Sequence, residues 1–202
     1  MDTGETGFYS LRKLREIAGR LDRTDAAPPC HSENVAKLAL AMCKALEIRG
    51  RKKDIIITAC LIHDVGKIAV DPSLWSKRQR LTYADRRLIE ICPKIAAMLA
   101  RWAGCDIKVA QMLYYQHIWY NGNGYPEVKR KKGDQIPIGA RILAICEAYD
   151  AMTSGRPYRE PIPPHEAAEE LRRHAIKQFD PRLVEIFVRD VVGLHQDIPP
   201  CR

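Results

Sequence analysis

No apolar run in the 202-residue chain approaches the roughly 18 residues that a membrane span requires. The longest, residues 55–62, is less than half that length and contains Thr58, so no membrane association is expected. The opening residues MDTGETGFYSLRK lack the apolar centre of a secretory leader. The seven cysteines (Cys30, Cys43, Cys60, Cys92, Cys105, Cys146 and Cys201) are odd in number and form no CxxC pair. That excludes a disulfide framework or a zinc cage and reads as reduced thiols in a cytoplasmic protein. Internal repeats, low-complexity blocks and the alternating pattern of strands are also missing.

What is present is ordinary for a soluble globular domain: 46% hydrophobic and 29% charged residues. A chain of this length can bury a core without disulfides or structural metals. Thirty-three Lys and Arg against 25 Asp and Glu leave a formal charge of +8, which favours anionic partners. The basic run VKRKK (residues 128–132) has no interleaved aromatics, so it reads as a solvated loop and nucleic acid is not an expected partner.

The periodicity is helical throughout and predicts a single all-α domain. Val35, Leu38, Met42 and Leu46 form one stripe over residues 33–47, with Ser32 as its N-cap and Gly50 as its stop. The run DIIITACLIHDVG predicts a buried helix ending at Gly66. Thr82 to Asp85 fits a capping box, and Pro93 predicts a break with a new helix starting there. Further helices are expected at 105–118, 138–152, 164–176 and 181–192, with a glycine-rich loop at 121–133. Residues 1–24 read as a helical extension, its Leu11, Leu14, Ile17, Leu21 stripe capping the bundle or mediating dimerisation. Residues 25–193 read as the main domain and 194–202 as a loosely ordered tail. His165, His174 and His195 lie on polar or terminal segments and read as surface residues.

His63 and Asp64 sit inside an apolar run, where burial is costly unless something pairs with them. A divalent metal does so well, since imidazole nitrogen and carboxylate oxygen both suit first-row ions. His31, His117 and Glu147 are the natural partners from elsewhere in the chain. Lys67, one turn beyond His63, is placed to hold a phosphate oxygen or a leaving group.

The blocks HSENVAKLA, LIHDVGKIAV, NGNGYP, IPIGARILAICEAYDAMTSGRPYRE and QFDPRLVEIF, in this order over residues 21–192, resemble the HD-GYP family of HD metal-dependent phosphohydrolases. The resemblance implies an α-helical HD-domain bundle holding two, sometimes three, iron, manganese or similar ions and hydrolysing cyclic di-GMP or a related nucleotide. His31, His63, Asp64 and Glu147 fall on the first metal site, with Asp64 also bridging. Cys92, Gln116 and His117 fall on the second. Lys67, Tyr125, Arg156 and Arg159 fall on positions that contact substrate, Asp64 and Lys67 being the catalytic pair.

Several positions depart from the family pattern. Cys92 and Gln116 stand where the family has histidine, and Glu147 where it has aspartate. Ala27 replaces a glutamate, Ile118 an acidic residue, and YNGNGYP the usual WDGSGYP. Glutamate keeps the carboxylate with one more methylene, thiolate is a softer and more oxidisable ligand, and glutamine is a feeble one. The first site is therefore nearly intact and the second depleted; Ala27 argues against a third ion. Two readings stay open. One is a phosphodiesterase with one or two divalent transition metals, iron or manganese, acting on a cyclic dinucleotide or other phosphate ester. The other is an inactive cyclic-dinucleotide receptor or protein-interaction module. Oxygen chemistry on two irons is disfavoured by the depleted second site. A regulatory protein partner or a homodimer is compatible with either reading.

Overall fold

The computed structural model describes residues 10–24, 30–75, 80–126, 131–154 and 160–193. Ala27, Arg156, Arg159, His195 and most of the VKRKK run lie outside them. The described residues form eight α-helices and no strand: α1 Leu11–Thr24, α2 His31–Ala45, α3 Gly50–Leu61, α4 Tyr83–Trp102, α5 Ile107–Tyr115, α6 Ile138–Thr153, α7 Pro164–Arg173 and α8 Pro181–Phe187. Helix α2 packs on α3 and α6, α4 packs on α5, and α5 in turn contacts α3 and α6. The all-α expectation holds. No helix among the described residues is long and apolar enough to cross a membrane.

The core is built from the predicted stripes. Val35, Leu38 and Met42 of α2 meet Ile56, Ala59 and Cys60 of α3 and Ile142, Leu143 and Ile145 of α6, all buried. Leu14 and Ala18 of α1 belong to the same cluster. Burying a Leu or Ile side chain contributes about 1.5–3 kcal/mol, so these three central helices form the rigid frame of the site.

Several boundaries differ from the sequence expectation, each for a physical reason. Ser32 does not cap α2: it lies inside the first turn, where buried Asp22 of α1 accepts from its backbone N (3.0 Å) and its Oγ (3.1 Å). A carboxylate from another helix thus satisfies an amide that a local cap would have served. Gly50 opens α3 at φ +55° instead of stopping α2. Helix α3 ends at Leu61, so His63 and Asp64 stand in a turn ahead of a short 3-10 segment, Val65–Ala69.

Pro93 does not break α4, which runs through it. Proline removes one helical donor, and the burial of Pro93, Ala96, Leu99 and Ala100 offsets that loss. The Thr82 capping box forms as expected, Thr82 Oγ1 accepting from Asp85 N and Asp85 accepting from Thr82 N. Helix α5 stops at Tyr115, leaving Gln116 and His117 in the turn beyond it. Helix α7 ends at Arg173, three residues early, and α8 gives way at Val188 to a wider π turn.

Two motif glycines have steric explanations. A Cβ on Gly66 would lie 2.0 Å from the Cys92 carbonyl oxygen, so only glycine lets the turn after Asp64 seat on α4. Gly124 has φ +93°, and its Cβ would meet the His117 carbonyl at 2.1 Å. The two glycines press their loops onto the elements that carry Cys92 and His117.

Candidate metal centre

His31 opens α2, His63 and Asp64 follow α3, and Glu147 and Asp150 stand one turn apart on α6. At the far end of α6, Arg141 bonds the buried Asp180, which caps α8, and its Nε donates to the Ile136 carbonyl at 3.0 Å. Those contacts fix the register of the helix that supplies both acids.

The tautomers of the two histidines follow from their partners. His63 Nδ1 lies 2.8 Å from the Cys60 carbonyl, which can only accept, so Nδ1 carries the proton and Nε2 a lone pair. His31 Nδ1 lies 2.6 Å from Asp150 Oδ2, which likewise assigns its proton to Nδ1. Asp150 Oδ1 accepts from Ser154 Oγ at 3.0 Å. Both free Nε2 atoms then face Asp64: His63 Nε2 at 3.4 Å and His31 Nε2 at 3.9 Å from its Oδ2.

Three buried ligand atoms thus converge within 4.8 Å of one another. His63 Nε2 is buried with no hydrogen-bond partner at all. Such an arrangement is unfavourable without a cation among the three groups. Two imidazoles and a carboxylate, each imidazole oriented through its other nitrogen, fit a divalent metal.

The electrostatics agree. Burial pushes the His31 imidazole down, but the Asp150 hydrogen bond and the charges of Asp64, Asp150 and Glu147 outweigh it and leave His31 above its ordinary value. Burial likewise pushes Asp64 up, yet His63, Lys67 and His31 hold its carboxyl well below the usual carboxylate range. Lys67 Nζ donates to Asp64 Oδ2 at 2.7 Å and lies 5.0 Å from the centre of the Trp75 ring.

The opposite wall is built differently. A cavity of about 170 Å³ is lined by His63, Asp64, Lys67 and Trp75 on one side and by Cys92, Gln116, His117, Tyr125 and Glu147 on the other. Gln116 Nε2 donates to the His63 carbonyl at 3.1 Å, while its Oε1 is buried without a partner. Cys92 Sγ is 3.6 Å from the Leu88 carbonyl. Burial pushes its thiol up to about 11, Lys67 opposing and Asp64 adding to the rise.

Glu147 Oε2 lies 3.9 Å from His117 Nδ1, outside the tight group of His31, His63 and Asp64. Burial lowers His117, with Glu147 and Asp64 opposing. Its ring stacks on Tyr125 at 4.7 Å between centroids, and burial raises the Tyr125 phenol. Gln116, His117, Tyr125 and Glu147 also line an adjoining cavity of about 240 Å³, floored by Ala144, Ala148 and Ala151 of α6 and walled by Trp119. Tyr120 does not line either cavity; its ring lies against Gly133.

Of the candidates read from the sequence, His31, His63, Asp64, Lys67, Cys92, Gln116, His117, Tyr125 and Glu147 converge on this one region. Arg156 and Arg159 lie outside the described residues. The sequence reading missed Asp150, Asp22 and Trp75. Asp150 had a signal, being an acid one turn after Glu147 in the same apolar segment. The Cys60 carbonyl, a backbone atom, had none.

Residues 14–183 match the protein family described as HD domain. The chain is 29% identical over 185 residues to the cyclic di-GMP phosphodiesterase response regulator RpfG of Xanthomonas campestris, covering 91% of this chain and 48% of that protein. It is 33% identical over 179 residues to a cyclic di-GMP phosphodiesterase of Pseudomonas aeruginosa, covering 87% of this chain and 42% of the relative. The chain therefore spans about half the length of these relatives. Among solved structures, a cyclic GMP-AMP specific phosphodiesterase of Vibrio cholerae has the same fold, with a TM-score of 0.69 at 20% identity over 89% of this chain and 48% of that one.

Proposed function

We propose, from the premise that the chain belongs to the HD domain family, that it is a metal-dependent phosphodiesterase of the HD-GYP type acting on cyclic di-GMP or a related cyclic dinucleotide. The observation that carries this is the meeting of His31 Nε2, His63 Nε2 and Asp64 in a buried pocket, with the His63 lone pair unpartnered. Relatives named as cyclic di-GMP phosphodiesterases support the substrate class.

These three residues would hold the metal, and iron or manganese is compatible with a mixed imidazole and carboxylate set. When bound, such an ion supplies Lewis-acid polarisation of a phosphate oxygen and makes a water more acidic. The protein's own groups do the remaining work. Asp150 and the Cys60 carbonyl keep the protons of His31 and His63 on Nδ1, so that each Nε2 stays available. Lys67 carries a positive charge to the cavity wall, where it can shift from Asp64 to a non-bridging phosphate oxygen. Glu147 and His117 present a carboxylate and an unprotonated imidazole across the same cavity, both suited to accept a proton. Tyr125 and Trp119 offer apolar faces towards the second cavity, which suits a nucleobase.

The thiol of Cys92 and the amide oxygen of Gln116 are poorer donors than imidazole for such an ion, which favours one firmly held ion over two. The deciding experiment combines elemental analysis of protein purified anaerobically with chromatography of cyclic di-GMP before and after incubation. One equivalent of metal and linear product are expected. Asp64→Asn is expected to lose the metal and on the order of 10³-fold or more in turnover. Nucleotide binding without turnover in any metal, unchanged by Asp64→Asn, would overturn the enzyme reading and leave a receptor.

A further inference from the structure

Among the described residues, nine large hydrophobic side chains are exposed, and five of them lie on the single helix α4. Four of these, Leu88 (50%), Ile91 (44%), Met98 (42%) and Trp102 (60%), share one stripe. The half-buried Ile95 fills the position between Ile91 and Met98. The order 88, 91, 95, 98, 102 steps by three, four, three and four residues. That is the two-in-seven spacing of a helix-pairing seam, narrower than the apolar face a core-facing helix needs. The core already has its own face of α4, made by Cys92, Pro93, Ala96, Leu99 and Ala100. The outer stripe is thus a second apolar face, running most of the helix's roughly 30 Å length. Its middle residue Ile95 also touches the core, while Leu88, Ile91, Met98 and Trp102 stay exposed among the described residues.

The charges beside the stripe say what it would accept. On its open flank stand Arg87, Lys94 and Arg101, seven residues apart and all exposed. Arg87 is held only loosely, by Glu90 at 3.6 Å. On its other flank, Cys92 and Leu99 are buried. An antiparallel pairing with a second copy would set the three cations against their own copies. A parallel pairing would set each against a flank already buried in the domain. A lipid surface calls for a broad apolar arc with a broad basic rim, whereas this stripe is a narrow seam with one basic edge. An amphipathic helix whose apolar stripe is edged by Glu or Asp matches both features at once.

We propose that the outer face of α4 is the docking seam for an acidic amphipathic helix of a partner protein. The seam is connected to the metal cavity through its own helix. Ile89 and Cys92 of α4 line that cavity, and the turn carrying Asp64 and Gly66 seats directly on the Cys92 carbonyl. One helix thus carries both the stripe and part of the cavity wall.

The proposal is tested by binding and does not depend on hydrolysis. The probe is a fluorescently labelled synthetic helix of four heptads with Leu at the seam and Glu at the flanks, compared with a twin carrying Lys in place of Glu. Fluorescence anisotropy with the full chain is expected to show the acidic helix binding at least tenfold more tightly than the basic one. The triple variant Arg87→Glu, Lys94→Glu, Arg101→Glu is expected to reverse that order. Ile91→Asp, at an exposed position and with unchanged circular dichroism, is expected to weaken the acidic helix at least tenfold. Equal binding of the two helices, or binding of neither, would overturn the proposal. So would a dimer in sedimentation that Ile91→Asp dissolves, or adsorption to phosphatidylglycerol vesicles without peptide binding.

Discussion

The two walls of the metal cavity are made from different donors and hold them differently. On the first, His63 and Asp64 line the cavity with His31 behind them, and the Nδ1 atoms of both histidines are held by neighbours so that each Nε2 faces Asp64. On the second, the Gln116 amide nitrogen donates to the His63 carbonyl while its Oε1 has no partner, burial raises the Cys92 thiol, and Glu147 Oε2 stands 3.9 Å from His117 Nδ1. What separates the walls is donor type together with orientation: two imidazoles, each fixed through its Nδ1, against a thiol, an amide and a single imidazole.

The largest effect that would break this comparison comes from truncating one histidine on each wall. His63→Ala is expected to abolish metal binding and to cost on the order of 10³-fold in turnover. His117→Ala should leave the metal equivalent intact and slow turnover by about tenfold, measured by elemental analysis beside product chromatography. Equal metal loss in the two variants would mean that the walls are one site. A smaller effect tests the second layer directly. Asp150→Asn keeps the shape but weakens the hold on the His31 proton, and is expected to lower metal affinity about 10–100-fold with the fold unchanged, read by competition with a coloured chelator. An unchanged affinity would remove Asp150 from the site.

The smallest effect is one of pH, and it has opposite signs on the two walls. In the metal-free protein, nuclear magnetic resonance titration should show the His31 imidazole giving up its proton above 6.5 and His117 below it. Because His31 is raised on folding, its contribution to stability is full below pH 6.5 and is lost as pH rises through its own folded value. His117 is lowered, so its contribution is present above pH 6.5 and is lost as pH falls through its folded value. Two coincident titrations would show that the walls share one electrostatic environment.

The helical class, the central apolar stripes and most of the converging side chains were legible in the chain because they depend on local spacing and on the cost of burying charge. Val35, Leu38 and Met42 could only be one face of a helix, and an apolar run holding His63 and Asp64 had to supply them with a partner. Asp150 was legible in principle but was passed over beside Glu147. Ser32 does not serve as a local cap because its N–H and Oγ–H donate to Asp22 on another helix. Pro93 signalled a break that tertiary packing overrode.

The sequence by itself determined an all-α HD domain and brought His31, His63, Asp64 and Glu147 forward as candidates for chemistry, since periodicity and motif are properties of the chain. Only the tertiary structure decided which nitrogen of each histidine is free, that Gln116 serves the His63 backbone, and that Glu147 faces His117. It also decided that α4 keeps a second apolar face outside the core. Each of those outcomes is fixed by a contact between residues far apart in sequence, where the neighbour's donor, acceptor or bulk sets the result.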